Sequence, residues 1–405
     1  MDDTDVDLTV LGAGVVGVAT AYAAARRGLS VRIVERASAP ALGASFANGG
    51  QLSYAYTEAM ASPSLWAKLP AVALGLDPAL RLQWSLDPDF FRWGLSFLRN
   101  TGAGHFQRNT LAVLRLALES RTAMAALLRR HPLQFDHRAP GKMHLYRDAK
   151  AFAAARAMVD IKRAHGVEQH VLSAAEAIAI EPALADATGL IGVIHSPTEE
   201  VGDTHRFCVE LLAVLRQQYG VRTDFDFDVS RVEETPQGVM LRGQDGRQRA
   251  SRSLVVCSGV QAASLAKQLG VYLPLMPMKG YSLTAPLGGN APSVSITDTD
   301  RKLVFCRLGS KMRIAGMAEV GNYRVDVDPA RSTQLIAMAR ASLPGAARYD
   351  AIESLWAGLR PMTPESAPII RRERGNIAFN VGHGMLGWTL AMGAGERAIG
   401  LLTDH

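Results

Sequence analysis

Gly12, Gly14 and Gly17 are spaced as G-x-G-x-x-G between an apolar run and an alanine-rich run. In such a turn the first glycine permits a tight bend, the second lets backbone approach a pyrophosphate, and the third lets helix and strand pack closely. Val15 and Val16 then fall in the first helical turn, where free N–H groups and the helix dipole favour a bound anion. Glu35 ends the next β-branched run, and there a carboxylate can accept hydrogen bonds from ribose hydroxyls while repelling a 2′-phosphate. Arg36, beside it, leaves that last discrimination open. This is the chemistry of holding a dinucleotide, and the turn alone does not decide between FAD and NAD.

A second kind of chemistry stands far along the chain. Arg360 offers a planar guanidinium fork that can grip a carboxylate through two parallel hydrogen bonds, or else form a structural ion pair. Tyr281 can add a phenolic hydrogen bond or simply pack at a strand end. No Ser/His/Asp arrangement, HExxH motif or P-loop competes with these residues.

The elements that must position them follow from periodicity and punctuation. Val6 to Leu11, Val15 to Arg27 and Ser30 to Val34 read as strand, helix and strand, with Gly28 closing the helix. Between Thr57 and Phe106 Pro, Trp and Leu become frequent, and Ser64 to Leu76 is apolar but interrupted. Amphipathic helices are predicted at Thr110 to Arg130 and Ala149 to His165, around a strand near Lys142 to Tyr146. Ser173 to Ile180 reads as a short helix. Thr204 to Tyr219 reads as a helix capped by Asp203 or Thr204. Three strands are predicted at Val221 to Glu234, Gly238 to Arg242 and Arg252 to Ser258. Met278 to Thr284, Lys302 to Arg307 and Met312 to Ala318 suit a second, mostly antiparallel sheet. A helix at Gln334 to Ser342, a strand at Ile377 to Val381 and a final helix at Leu386 to Leu402 complete the chain.

With 405 residues, 48% apolar and 20% charged, the composition is that of a soluble globular protein of two domains. The net charge of +6 is scattered, densest at Arg371, Arg372 and Arg374, and no basic stripe alternates with aromatics, so nucleic acid is not an expected partner. Cys208, Cys257 and Cys306 are too dispersed for a disulfide framework or a cysteine zinc site, and no metal is expected. The start Met1-Asp2-Asp3-Thr4-Asp5 is acidic where a signal peptide is basic, and no window approaches the ~18 uninterrupted apolar residues of a membrane span. A cytoplasmic protein is the expectation.

Longer motifs run in order along the chain: Ser45-Phe46-Ala47-Asn48-Gly49-Gly50-Gln51-Leu52-Ser53, Gly202-Asp203, Pro277-Met278-Lys279-Gly280-Tyr281-Ser282-Leu283 and Gly316-Met317-Ala318-Glu319. Trp356-Ala357-Gly358-Leu359-Arg360-Pro361-Met362-Thr363-Pro364 and Gly382-His383-Gly384-Met385-Leu386-Gly387-Trp388-Thr389 follow. Nearly end to end the sequence resembles the D-amino acid dehydrogenases, within the D-amino acid oxidase and glycine oxidase family of flavoenzymes.

The resemblance implies an α/β fold with a Rossmann-like FAD-binding domain (1–60, 185–265 and 350–405). A second α+β substrate domain (61–184 and 266–349) would be built on the mostly antiparallel sheet. It implies non-covalent FAD, since no cysteine or histidine clearly matches the attachment positions of relatives with bound flavin. Ser45, Asn48, Gly49, Gln51 and Leu52 would lie along the diphosphate, ribityl chain and flavin ring. Val229 would hold the adenine through its backbone, with Ser258 and Gly259 next to the nucleotide. Gly384, Leu386, Gly387 and Thr389 would bring a helix N-terminus to the flavin pyrimidine edge, where N–H groups stabilise the reduced ring.

Arg360 matches the family's carboxylate-binding arginine, and Tyr281 would assist it. Tyr56, weighted above Tyr54, would close the other side of the pocket. His383 would touch flavin or substrate without acting as a base. The implied reaction is oxidative deamination: hydride passes from Cα to flavin N5, and the imino product hydrolyses to a 2-oxo acid and ammonia. Electrons would go to a quinone or another acceptor, an oxygen-using oxidase being the alternative and a non-catalytic nucleotide-binding module a more distant one. Relatives that feed a respiratory chain work at the inner membrane. Ser64 to Leu76, with Trp66 and Lys68, could serve peripheral membrane contact or line the pocket. The preferred amino acid side chain is not readable from the sequence.

Overall fold

The computed structural model describes residues 6–403, so the acidic start and the last two residues lie outside the described residues, as does the side chain of Lys68. β1 (Val6–Leu11) turns through the glycines into α1 (Val15–Ala25), and β2 (Val31–Val34) completes the predicted β-α-β unit. After the short β3 (Gln51–Leu52), the apolar stretch forms α2 (Leu65–Ala73), which contains Pro70, then β4 (Leu80–Leu82) and α3 (Pro88–Arg99). α4 (Ala103–Arg130) begins directly after Gly102 rather than at Thr110. β5 (Lys142–Tyr146), α5 (Ala149–Arg163), β6 (His170–Leu172) and α6 (Ala174–Ile180) follow, the two helices capped by Asp148 and Ser173. β7 (Gly192–Ser196) and β8 (Glu200–Val201) precede α7 (Thr204–Tyr219), whose N-cap is Asp203.

The single strand predicted from Val221 to Glu234 is two, β9 (Arg222–Asp224) and β10 (Val229–Thr235). Asp226 between them takes a φ of 51°, and the turn hands the chain from the edge of β2 to antiparallel pairing with β11 (Gly238–Gly243). β12 (Gln248–Val256) and α8 (Ala262–Gln268) lead to β13 (Met276–Pro286), β14 (Ser295–Asp298), β15 (Leu303–Leu308) and β16 (Lys311–Val320). α9 (Pro329–Ser342), β17 (Ser354–Met362), β18 (Ile369–Arg374), β19 (Ile377–Val381) and α10 (Gly387–Thr403) end the chain.

Two sheets organise these elements. The first runs β10-β11-β12-β1-β2-β9, with β19 beside β12 and β18 beside β19. Its centre is parallel, β12 to β1 to β2 to β9, and both faces are covered, so nearly every residue of β1 and β2 is buried. α1, α4, α7 and α10 share one core, where Val18, Leu116, Leu211 and Leu390 are buried together. The second sheet runs β17-β13-β16-β15-β14-β5-β7-β6, with β4 on β16. It is antiparallel except where β14 meets β5 and β16 meets β4. One face packs on α9 through Tyr281, Leu283, Leu335 and Ala339.

Three boundaries differ from the sequence reading. β7 and β17 lie in stretches expected to belong with the dinucleotide unit, yet both are strands of the second sheet. α4, expected with the second domain, packs against α10 in the first core. Backbone pairing decides the first two: β17 matches β13 residue for residue from Met276↔Met362 to Thr284↔Ser354. A run of apolar positions decides the third, as Val113, Leu116, Ala117 and Met124 form one buried stripe along α4.

Candidate active site

A cavity of about 1170 Å³ begins at the glycine turn and ends against the free face of the second sheet. At the turn, Gly12 has a φ of +109°, and a Cβ there would come within 2.8 Å of the Cys257 carbonyl oxygen. A Cβ on Gly17 would run into the Gly12 carbonyl oxygen, so Gly17 serves packing and does not itself line the cavity. Glu35 is held at the rim, accepting the Ala13 N–H at 2.7 Å and the Ala37 N–H at 3.0 Å. Arg36, Val229, Ser258 and Gly259 line the same end, and the Ser258 hydroxyl has no partner among the described residues. The first turn of α1 has no cap of its own. Ser45 supplies one from a distance, its Oγ accepting the Val15 N–H at 3.1 Å.

The segment after Ser45 is laid across the second sheet strand by strand. The Ala47 carbonyl accepts from Ser282 on β13 at 2.6 Å, and the Asn48 carbonyl accepts from Arg313 on β16 at 3.1 Å. Gly49 and Gly50 press on β15, where a Cβ would meet Val304 at 2.9 Å and Cys306 at 3.0 Å. Gln51 donates to Ser295 on β14 at 2.6 Å, and Ser53 accepts from Lys142 on β5 at 2.7 Å. The order of these anchors is the order of the strands. Two side chains expected to face a ligand are therefore engaged by protein: Gln51 by Ser295, and Asn48, whose Oδ1 accepts from Gly50 N–H and Thr204. Leu52 is buried in the first core, and Thr389 accepts the Ser53 N–H at 2.9 Å, so neither lines the cavity.

The C-terminal motif meets this segment from the other side. His383, Gly384, Leu386 and Gly387 line the cavity just ahead of α10. Burial pushes the His383 imidazole down to about 3, so it is neutral at ordinary pH. Its Nε2 and the Trp388 Nε1 have no partner among the described residues.

Arg360 stands deep in the cavity on β17, opposite Met278 on β13. Its guanidinium lies over Gly280, where a Cβ would collide with it, and Trp356 lies over Gly358 in the same way. Gly280 and Gly358 are cross-strand partners, so together they open a trough in the sheet. The guanidinium has one long hydrogen bond, to the Met317 carbonyl at 3.4 Å, and no acidic partner among the described residues. Desolvation lowers it to about 10, which leaves it charged at neutral pH.

The tyrosines separate. Tyr56 lines the cavity, its ring 4.3 Å from the His144 ring. Tyr54 does not: it is buried in the first core and donates to Glu200 at 3.2 Å. Tyr281 reaches the cavity wall, but its phenol donates to Glu319 at 3.0 Å, and Arg331 donates to the same oxygen. Side chains alternate along a strand. Gly280 and Ser282 face the cavity, so Tyr281 between them faces α9, and its hydroxyl is not available beside Arg360. Lys142, Glu58 and Thr297, which no sequence signal marks as site residues, also line the cavity, as does Trp356, which belongs to the motif that holds Arg360.

A family model described as DAO, FAD dependent oxidoreductase, matches residues 7–401. The chain belongs to this family of FAD-dependent oxidoreductases. It is 41% identical to D-amino acid dehydrogenase 2 of Ralstonia nicotianae over 98% of this chain and 95% of that one. It is 38% identical to a D-amino acid dehydrogenase of Paramagnetospirillum magneticum, again over 98% and 95%. Glycine oxidase from Geobacillus kaustophilus shares the fold with a TM-score of 0.78 at 20% identity, covering 99% of this chain and 95% of that one. L-Proline dehydrogenase from P. horikoshii does so with a TM-score of 0.77 at 16% identity, over 99% and 94%.

The cavity of this DAO-family protein fits FAD. Its lining includes the start of α1, where free N–H groups favour an anion, the fixed carboxylate of Glu35, and the start of α10. Gly12 and Gly14 with the α1 amides would hold the diphosphate and Glu35 the ribose. The unpartnered Ser258 hydroxyl and Trp388 N–H are polar atoms that a bound cofactor or its waters would satisfy.

Proposed function

We propose that this protein oxidises D-amino acids to 2-oxo acids and ammonia and passes the electrons to a quinone or another acceptor other than oxygen. The observation that carries the reading is Arg360. A charge withdrawn from bulk water with no acid beside it is costly, unless a ligand brings the counter-charge. A planar fork lying over Gly280, beside the Trp356 ring over Gly358, suits a carboxylate bound through both oxygens. The names of the relatives at 38% and 41% identity support an amino acid of D configuration.

Bound FAD would supply the two-electron acceptor for the α-hydrogen, and the imino product would then hydrolyse. The protein's share is positioning. Arg360 fixes the carboxylate, Trp356 and Met278 add apolar lining, and α2 contributes Leu65 and Val72 to the same cavity. His383, neutral, adds no positive charge against a substrate amine.

The outer side of the same region supports work at a lipid surface, where a quinone would be met. Trp66, Leu74, Leu76, Trp84 and Leu86 are all more than half exposed, and they lie on or beside α2 and β4. No helix among the described residues is long and apolar enough to cross a membrane, so any such contact is peripheral.

Anaerobic mixing of the yellow holoprotein with D- and L-alanine tests the reading. Bleaching near ~450 nm by the D isomer alone is expected, with reoxidation fast by a quinone and slow in air. Bleaching by L-alanine only, or by neither, would overturn it.

A further inference from the structure

One residue beside Arg360 holds a backbone conformation that its side chain disfavours. Met317 has a φ of +60°, in the left-handed region, although it lies inside β16 and is neither glycine nor asparagine. Such a conformation is costly for a residue with a long side chain, and it persists only where the surroundings fix it.

The pairing of β16 shows what fixes it. On one side the strand meets β13, where Lys279 faces Glu319 and Tyr281 faces Gly316, so Gly280 stands against two residues, Met317 and Ala318. This is a β-bulge, a device that re-aims one residue of a strand. On its other side β16 pairs with β15 as far as Gly316 and with β4 from Ala318 onward. Met317 is the residue at which that neighbour changes. It is buried with Tyr281, Leu303 and Leu335 in the core on the α9 side, while its carbonyl oxygen accepts from Arg360 Nη1 at 3.4 Å.

That carbonyl is the one hydrogen-bond partner of the guanidinium among the described residues, and Gly280 lies beneath the plate. Contact with a glycine alone leaves a flat group free to turn in its own plane. A hydrogen bond from Nη1 stops the turning and leaves the Nε–Nη2 edge with both donors unused. Two parallel donors on one edge are what a carboxylate takes. The strand conformation differs from the left-handed one by about 90° in ψ, enough to turn the Met317 carbonyl away from the guanidinium.

We infer that Met317 is a positioning residue for the substrate: its left-handed backbone aims the carbonyl that sets the Arg360 fork for the carboxylate. The inference rests on the proposed binding of the substrate carboxylate by Arg360 and adds what orients that side chain.

Branching at Cβ tests it, because β-branched residues tolerate the left-handed region least. Met317→Leu and Met317→Ile introduce isomers of equal apolar volume that differ in where they branch. In the FAD-loaded enzyme, the dissociation constant of propanoate, read from the flavin spectrum, reports the carboxylate site without chemistry. Steady-state kinetics with D-alanine add KM and kcat. Met317→Ile is expected to weaken propanoate and raise KM about tenfold, the scale of a hydrogen bond to a charged group, with kcat and flavin content within about twofold. Met317→Leu is expected to bind propanoate within about twofold of the wild type, and so is Met317→Gly, which deletes the side chain but keeps the conformation. A role in core packing alone predicts the reverse order, with Met317→Gly the most impaired. Equal constants for the Ile and Leu variants, or a Met317→Gly protein as weak as Met317→Ile, overturn the inference. Arg360→Lys, measured beside them, tells the two failures apart. If it too binds propanoate like the wild type, the carboxylate assignment falls; if it binds weakly, only the role of Met317 is lost.

Discussion

Gly280 and Gly358 stand opposite each other on β13 and β17, and the guanidinium of Arg360 lies in the space the missing Gly280 side chain leaves, as the Trp356 ring does at Gly358. Neither glycine is needed for a left-handed turn. Both are needed because a side chain lies flat on them, which is a requirement of packing rather than of backbone freedom. Gly280→Ala is therefore expected to lift the guanidinium and raise KM for D-alanine about ten- to a hundredfold, with flavin content per chain unchanged. Arg360→Lys should do the same, because a point charge cannot replace a fork. Steady-state kinetics beside a flavin-to-protein ratio check both, and an unchanged KM in either would remove Arg360 from the carboxylate.

Glu35 acts at the opposite end. Its carboxylate orders the turn by accepting the Ala13 and Ala37 amides. Glu35→Ala is expected to weaken FAD binding by the apoprotein about tenfold or more, with the ranking of amino acid substrates intact. Fluorescence titration with FAD, followed by a substrate panel at saturating FAD, separates these effects.

His383 gives a pH signature. Its folded value is about 3 against 6.5 for the free side chain, so below pH ~6.5 the unfolded chain takes up a proton that the folded one refuses. The folded state accordingly loses stability as pH falls from about 6.5 towards 3. Between pH 7.5 and 5 the wild type is expected to lose about 2 kcal/mol more than His383→Asn. Urea unfolding at the two pH values measures this, and parallel losses in the two proteins would show that the imidazole is not buried neutral.

The apolar patch is open to a direct assay. Replacing Trp66, Leu74 and Leu76 with serine removes three exposed side chains on and just after α2. Partial burial of three such groups is worth roughly 2–4 kcal/mol, so vesicle binding should fall about thirtyfold or more, while turnover with a soluble dye persists. Wild-type protein that fails to sediment with anionic vesicles would end the proposed lipid contact.

The sequence carries the glycine turn, Glu35 and the strand-helix order around them because these depend on local spacing. Arg360 is legible too, through the motif that contains it. Tyr281 is not, since its direction depends on which face of β13 meets α9, and a run of eleven residues, nearly all buried, shows no alternation to reveal it. Tyr54 and Tyr56 have the same parity along the chain, and only the irregular path after β3 sends one into the first core and the other into the cavity. Lys142 and Thr297 were invisible as cavity residues because β5 and β14, the strands that carry them, pair across more than 150 positions of chain. Burial moves the Lys142 ammonium down and the Glu199 carboxyl up, the mutual attraction of the two opposing each shift.

The path of residues 47–53 across the second sheet has a consequence in time as well as in space. These residues are made early, but their anchors come from Lys142, Ser295, Val304, Arg313 and Ser282, which are made much later and in a different order from their places in the sheet. On a growing chain the segment has nothing to lie on until the last of β13 to β16 has emerged and paired. The seat of the cofactor is thus completed late, and FAD is captured by a nearly finished molecule rather than by the β-α-β unit that leaves the ribosome first.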